Sequence, residues 1–177
     1  KRPVESGRMS AESQSDLDHV FVINLDIEKF YDRIDRSIML ERLKKISLEY
    51  GQPKVCPDFW RAVENLTKWA WDPDAVKQAA KLGLELGNGL PQGLVASGFF
   101  ANAYLTNFDS AIGKHIGARI PSVPGIVLYD YCRYVDDLRL VVSIEDLDTE
   151  VAEKKVLSWV NSQLSIHAGS SLALNNS

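Results

Sequence analysis

Two adjacent carboxylates lie between two apolar stretches in the second half of the chain, and this arrangement constrains the fold more than any other feature. Asp136 and Asp137 follow residues 131–134 and precede residues 138–142. Both stretches have β-strand composition, so the acidic pair is predicted to lie in a tight hairpin turn. Such turns favour Asn-Gly or Asp-Gly because they need positive φ, whereas this chain offers Val135. Crowded carboxylates repel each other, and a divalent cation relieves that repulsion, although an ordinary solvated turn explains the pair considered alone.

A second carboxylate position lies far upstream. Residues 20–25 form an apolar, β-branched run that predicts a buried strand, and Asp26 follows directly where a helix is expected to begin. Neighbouring strands lie about 4.8 Å apart, so carboxylates at strand ends can converge on one ion. Only the fold could bring Asp26 and Asp136 together. Considered alone, Asp26 is more simply explained as a helix N-cap.

A glycine- and proline-rich loop separates these two positions. Residues 89–93 read Gly-Leu-Pro-Gln-Gly, and an apolar helix is predicted to follow and run to about Lys114. Gly89 and Gly93 would let the backbone approach a ligand closely. Gln92 carries an acceptor and two donors that suit a sugar or a base edge. An ordinary connection between elements is the alternative interpretation of this loop.

In this order, the three segments resemble the palm of reverse transcriptases over roughly residues 20–145. The first catalytic motif of that family is matched by Asp26, Ile27, Phe30 and Tyr31. The second is matched by Leu90, Pro91, Gln92, Gly93, Ser97 and Asn102, and the third by Tyr134, Val135, Asp136 and Asp137. A fainter match to the strand of the next motif covers residues 171–175. Gly98 replaces a common proline, and the chain is most similar to bacterial reverse transcriptases associated with phage defence.

The resemblance implies a two-metal nucleotidyl transfer. Asp26 and Asp136 would bridge two Mg²⁺ ions about 4 Å apart, with Mn²⁺ as a substitute. Asp137 would contact one ion or tune the others, and the Ile27 carbonyl would help to hold the ion on the nucleotide side. The implied partners are an RNA template, a DNA primer and product, and dNTPs.

The same resemblance assigns the substrate contacts. Tyr31 is similar to the aromatic gate that excludes a 2′-hydroxyl and so selects deoxyribonucleotides. The remaining nucleotide-pocket candidates are Phe30, Gln92 and Gly93, and the primer-end candidates are Tyr134 and Val135. Three alternatives stay open: an RNA-dependent RNA polymerase, untemplated DNA synthesis, and a non-catalytic palm that serves as a protein-interaction or assembly module.

The predicted fold class is α+β. Apolar spacing predicts helices over residues 37–50, 58–71 and 149–164, with a short helix beginning at 72–74. The order of elements suits the split β-α-β-β-α-β arrangement. This is a ferredoxin-like or RRM-like antiparallel sheet with helices packed on one face, as in a polymerase palm. The side chains predicted to face the core are Trp60, Leu66, Trp69, Val151, Val156, Leu157 and Val160.

Composition bounds the remaining possibilities. The chain has 177 residues and 45% apolar content, which suits one core. We expect a polar segment at 1–19 and a palm at 20–177, with fingers and thumb regions of a longer polymerase missing from the sequence. No apolar run is long enough to span a membrane, and a reduced, buried Cys132 would suit a cytoplasmic protein.

Charge argues against a freestanding nucleic-acid binder. The net charge of −4 contrasts with the basic surface that such proteins usually carry. An acidic palm is an exception because bound metal ions mask its carboxylates. Arg133 and Arg139 flank the acidic pair, where either phosphate contact or ordinary surface charge would explain them.

Overall fold

The computed structural model describes residues 20–50, 56–121, 123–145 and 147–175. These residues form four strands and six helices. In chain order the elements are β1 (Val20–Asp26), α1 (Phe30–Arg33), α2 (Arg36–Glu49), α3 (Pro57–Thr67), α4 (Pro73–Leu82), α5 (Val95–Gly113), β2 (Ala118–Arg119), β3 (Ile126–Tyr134), β4 (Asp137–Ile144) and α6 (Thr149–Ala168). The predicted polar segment at 1–19 lies outside the described residues.

The strands form one antiparallel sheet in the order β1-β4-β3-β2. β3 and β4 are the predicted hairpin, and β4 also pairs with β1 along its length. A single bridge between Ile27 and Leu174 continues the sheet beyond β1, where the sequence predicted a further strand. The prediction of an α+β palm-like fold with an antiparallel sheet is confirmed.

One face of the sheet is packed and the other is open. Along β4, Leu138 and Leu140 are buried, whereas Asp137 and Arg139, which alternate with them, are exposed. The buried side chains join a core with Phe108 of α5 and with the inner side of α6. Complete burial of one such leucine contributes about 1.5–3 kcal/mol to folding. The alternation leaves the carboxylate positions on the open side.

Several predictions about burial were wrong, because the sequence does not reveal which face of a strand or helix stays exposed to solvent. β1 is half-exposed rather than buried, with Val22 facing outward. Cys132 is exposed, not buried. Leu66 is 78% exposed and Val151 43% exposed, so neither belongs to the core.

The predicted helix over 58–71 is too long. α3 ends at Thr67, and Arg36 donates from Nη1 to the carbonyls of Thr67 and Trp69, 2.9 Å away in each case. These bonds satisfy carbonyl groups that would otherwise need a continuing helix. Trp69 and Trp71 therefore lie in the connection between α3 and α4.

Candidate active site

The three candidate carboxylates belong to residues at the same end of the sheet. β1 ends at Asp26 and β4 begins at Asp137, and these two residues are direct partners in the register. Asp136 occupies the turn that precedes β4, and its carbonyl accepts a hydrogen bond of 3.2 Å from the Ile27 amide. Opposed residues in an antiparallel pair place their side chains on the same face. The fold thus joins positions that are far apart in the sequence.

Electrostatics at this end are unfavourable for three bare carboxylates. The pKa of Asp136 is raised, first by burial and then by the negative charges of Asp26 and Asp137. Within the described ranges, no three His, Cys, Asp or Glu side chains converge closely enough to hold an ion by themselves. Mg²⁺ does not require this, because it keeps several waters and takes one or two carboxylates together with substrate phosphates. An all-oxygen cluster with crowded negative charge fits that ion.

The turn that carries Asp136 is conformationally strained. Val135 has φ 57°, one of two non-glycine residues with positive φ in the described part of the chain. A β-branched residue in this region is an outlier that costs of the order of 1–3 kcal/mol. The unusual valine that the sequence places in this hairpin turn therefore corresponds to backbone strain beside a candidate catalytic residue.

A reverse transcriptase (RNA-dependent DNA polymerase) family model matches residues 4–168. The chain belongs to the reverse transcriptase family. The matched region contains all three motifs and the four strands β1 to β4. No curated protein was found to match the chain.

The first motif of this reverse transcriptase is held between the hairpin and the end of the described chain. Asp26 does not cap a helix, since Lys29 is the N-cap residue of α1. Instead, the Asn175 amide donates to the Asp26 carbonyl at 2.8 Å, and the Glu28 amide donates to the Ala173 carbonyl at 2.9 Å. The N-cap alternative for Asp26 is wrong, and its carboxylate lies at the strand end, where Oδ2 accepts a hydrogen bond from Asn175 Nδ2 at 3.5 Å.

Tyr31 lies close to the acidic turn. Its pKa is raised by burial first, then by the charge of Asp136 and by Tyr134. Its ring lies 5.6 Å from that of Phe30, measured between centroids. Phe30 is only 2% exposed and belongs to the core. It therefore packs against Tyr31 from the core side and offers no accessible surface to a nucleotide.

The second motif is joined to the first through main-chain hydrogen bonds. The Gly89 amide donates to the Asp32 carbonyl at 2.9 Å, and the Leu90 amide donates to the Tyr31 carbonyl at 2.7 Å. The Trp69 indole N–H donates to the Gly89 carbonyl at 2.8 Å. A Cβ on residue 89 would lie 1.9 Å from the Tyr31 carbonyl oxygen, so only glycine fits there. The sequence suggested close approach of Gly89 to a ligand, whereas the approach is to the protein's own backbone.

The tip of this loop is accessible. Gln92 and Gly93 are exposed, and Gly93 has φ 92°. The Ser97 hydroxyl, buried at the start of α5, donates to the Pro91 carbonyl at 2.6 Å. Tyr134 is also exposed, on the other side of the site at the end of β3. Their assignments to nucleotide and primer stay predictions.

Sequence reasoning missed one pair of charged residues. Asp109 was not among the predicted site residues, and Arg133 was interpreted as either a phosphate contact or an ordinary surface charge. In the structure the side chain of Arg133 is 7% exposed and forms an ion pair with Asp109 at 2.7 Å. The available signal was an acidic residue inside the otherwise uncharged α5.

No helix in the described residues is both long and apolar enough to cross a membrane.

Proposed function

We propose that this chain is the palm of an RNA-directed DNA polymerase that transfers deoxynucleotides to a primer 3′-hydroxyl by a two-metal mechanism. The observation that carries this proposal is the register of the sheet, in which Asp26 opposes Asp137 and the Ile27 amide contacts Asp136. Membership of the reverse transcriptase family supports nucleotidyl transfer in general. The substrate, metals and residue roles that follow belong to the proposal.

Asp26 and Asp136 would hold the metal ions, with Asp137 beside them and the Ile27 carbonyl as a further oxygen ligand. Mg²⁺, or Mn²⁺ in its place, would supply Lewis acidity for the attacking hydroxyl and positive charge for the leaving pyrophosphate. The protein's own contribution is to fix the carboxylates at strand ends before substrate arrives. Preorganised charge of this kind avoids reorganisation during the reaction.

Tyr31 would select deoxyribonucleotides by steric exclusion. Its ring lies near Asp136, and its carbonyl is tied to Leu90 in the loop that carries Gln92. A 2′-hydroxyl would compete with the ring for space, which favours DNA synthesis over RNA synthesis. Gln92 and Gly93 would line the nucleotide pocket, and Tyr134 and Val135 would contact the primer end.

The remaining elements of the proposal rest on the motif resemblance. They are a palm domain at residues 20–177, fingers and thumb regions outside this sequence, a cytoplasmic location and a role in bacterial antiphage defence. The net charge of −4 supports the second element, because binding to nucleic-acid phosphates is favoured by net positive charge.

Primer extension with the polymerase that contains this chain tests the proposal. An RNA template with a DNA primer is supplied with dNTPs or rNTPs, with and without Mg²⁺. We expect template-directed, Mg²⁺-dependent dNTP incorporation. Preferential rNTP incorporation would favour an RNA polymerase, and template-independent products would favour untemplated synthesis. No incorporation of either kind would favour a non-catalytic palm.

A further inference from the structure

The buried side chain of Arg133 contacts the turn that carries Val135 and Asp136. Arg133 donates from Nε and Nη2 to the two carboxylate oxygens of Asp109, at 2.9 and 2.7 Å. Its Nη1 donates to the Val135 carbonyl at 2.7 Å and to Asn102 Oδ1 at 3.0 Å. Asn102 and Asp109 both lie on α5. The guanidinium therefore joins the turn to a helix in the core.

The geometry of this group is fixed from both sides. The Tyr131 hydroxyl also donates to Asp109 Oδ1, at 2.7 Å, so the carboxylate receives three hydrogen bonds from β3. A bidentate arginine–carboxylate pair restricts orientation as well as position. Because Asp109 neutralises Arg133, the guanidinium has little charge left to attract a phosphate or another carboxylate. Its contribution is to hold the turn in place.

The turn needs such support because its backbone is strained. Val135 has φ 57°, where a β-branched residue is disfavoured, and its carbonyl is the one that Arg133 holds. Asp136 follows immediately, and its carbonyl accepts from the Ile27 amide. If Val135 relaxed to negative φ, both the Asp136 carboxylate and its link to β1 would move.

We propose that Arg133 is a positioning residue, which holds the Val135–Asp136 turn in its strained conformation so that the Asp136 carboxylate stays beside Asp26. Asp109 is the residue that orients Arg133. This inference rests on the proposed function, in which Asp136 is a metal ligand. In this role Arg133 acts through Asp109, Asn102 and the Val135 carbonyl, which its guanidinium contacts.

The first experiment needs no activity. Hydrogen exchange of the Ile27 amide reports whether Asp136 remains in place in the metal-free protein. We expect Arg133→Met to raise that exchange rate about tenfold. This is roughly the effect of losing one hydrogen bond to a charged group. Amides in the centre of the β3–β4 pairing should not change. Arg119→Met is the matched control, since Arg119 pairs with Glu145 in an exposed ion pair at 2.8 Å.

The second experiment separates positioning from simple folding. Val135→Gly removes the penalty for positive φ. In the Arg133→Met background it should restore part of the protection of the Ile27 amide, which is measured without primer because Val135 is itself proposed to contact the primer end. A residue needed only for stability would not be rescued in this way, because glycine weakens a hairpin. Arg133→Lys keeps the charge but loses the bidentate geometry, so it should resemble Arg133→Met.

These measurements distinguish the inference from the proposed function. Unchanged Ile27 exchange in Arg133→Met, or no rescue by Val135→Gly, would overturn the positioning role even where Asp136→Asn is inactive. Full activity of Asp136→Asn would overturn the proposed function instead, while Ile27 exchange would still report on the turn. Should Arg133→Met not fold, Asp109→Asn weakens the same guanidinium contact and is held to the same outcomes.

Discussion

Among the glycines that the structure describes, Gly89 is the one where an added Cβ would meet its neighbours most closely. In Gly89→Ala the new Cβ would lie 1.9 Å from the Tyr31 carbonyl oxygen and 2.8 Å from the Asp32 carbonyl carbon. The backbone must withdraw until these distances reach at least 3.0 Å. The obstacle is main chain on both sides, so no side-chain rotation relieves it.

The size of the effect follows from the hydrogen bonds that break. Withdrawal on that scale lengthens the 2.7 Å bond between the Leu90 amide and the Tyr31 carbonyl beyond hydrogen-bond range. The 2.9 Å bond from the Gly89 amide to Asp32 is lost with it. Each bond contributes about 1 kcal/mol net, and buried groups left unpaired add to the cost. We expect the free energy of unfolding to fall by about 2–4 kcal/mol.

Denaturant unfolding and dNTP kinetics measure the two consequences. Because Gly89 joins the loop of Gln92 to the main chain of Tyr31, the KM for dNTP should rise as stability falls. Gly98→Ala is the matched control: a Cβ there meets nothing within 4 Å, so the helix should gain up to about 1 kcal/mol. Equal stability of Gly89→Ala and wild type would refute the reasoning, since it would mean that the loop does not pack against Tyr31 as described.

Three other predictions follow from the same structure. Tyr31→Val should raise the kcat/KM for rNTPs relative to dNTPs, and an unchanged ratio would make Tyr31 a packing residue. Asp35 caps α2 and its pKa is lowered, first by the Ser37 hydroxyl, so Asp35→Ala should cost about 1 kcal/mol at neutral pH. That stabilisation is complete above the unfolded pKa of about 3.9 and disappears as pH falls through the lower folded value, so the two proteins should converge in stability in acid. The 177-residue chain by itself should melt cooperatively but bind an RNA–DNA hybrid weakly at physiological salt because its net charge is −4, and tight binding with efficient extension would contradict this.

Local signals predicted most of the elements that form the site. The apolar run before Asp26, the hairpin around Asp136 and the long helix α5 all depend on patterns of neighbouring residues, and each is present. The sequence could also indicate strain at Val135, because a β-branched residue stands where glycine is usual. These features were accessible since hydrophobic periodicity and turn chemistry act over short distances.

Contacts between distant residues were beyond that reasoning. The end of α3 depends on Arg36 of α2, which donates hydrogen bonds to the carbonyls of Thr67 and Trp69. The pairing of Arg133 with Asp109 depends on how β3 lies over α5, which a one-dimensional pattern does not encode. The open face of the sheet exposes Cys132, although its neighbours in sequence are those of a strand. Each of these outcomes is decided by tertiary packing.

The register was also inaccessible from the sequence. Motif matching associated Asp26 with Asp136, whereas the main-chain partner of Asp26 is Asp137. Asp136 approaches from the turn, through the Ile27 amide. A shift of one residue would turn every side chain of β4 to the other face, and would bury Asp137. Burial of Leu138 and Leu140 therefore fixes where the carboxylates point.

The most direct test of the account is single-nucleotide incorporation by Asp136→Asn in the polymerase that contains this chain. The substitution removes charge but little volume, so the unfolding curve should match that of wild type. We predict that incorporation falls by at least about a hundredfold at saturating Mg²⁺, because the loss of a metal-binding carboxylate costs several kcal/mol in the transition state. Asp58→Asn, in an exposed ion pair on α3, should retain activity. Wild-type incorporation by a correctly folded Asp136→Asn would contradict the assignment of this carboxylate cluster as the catalytic centre.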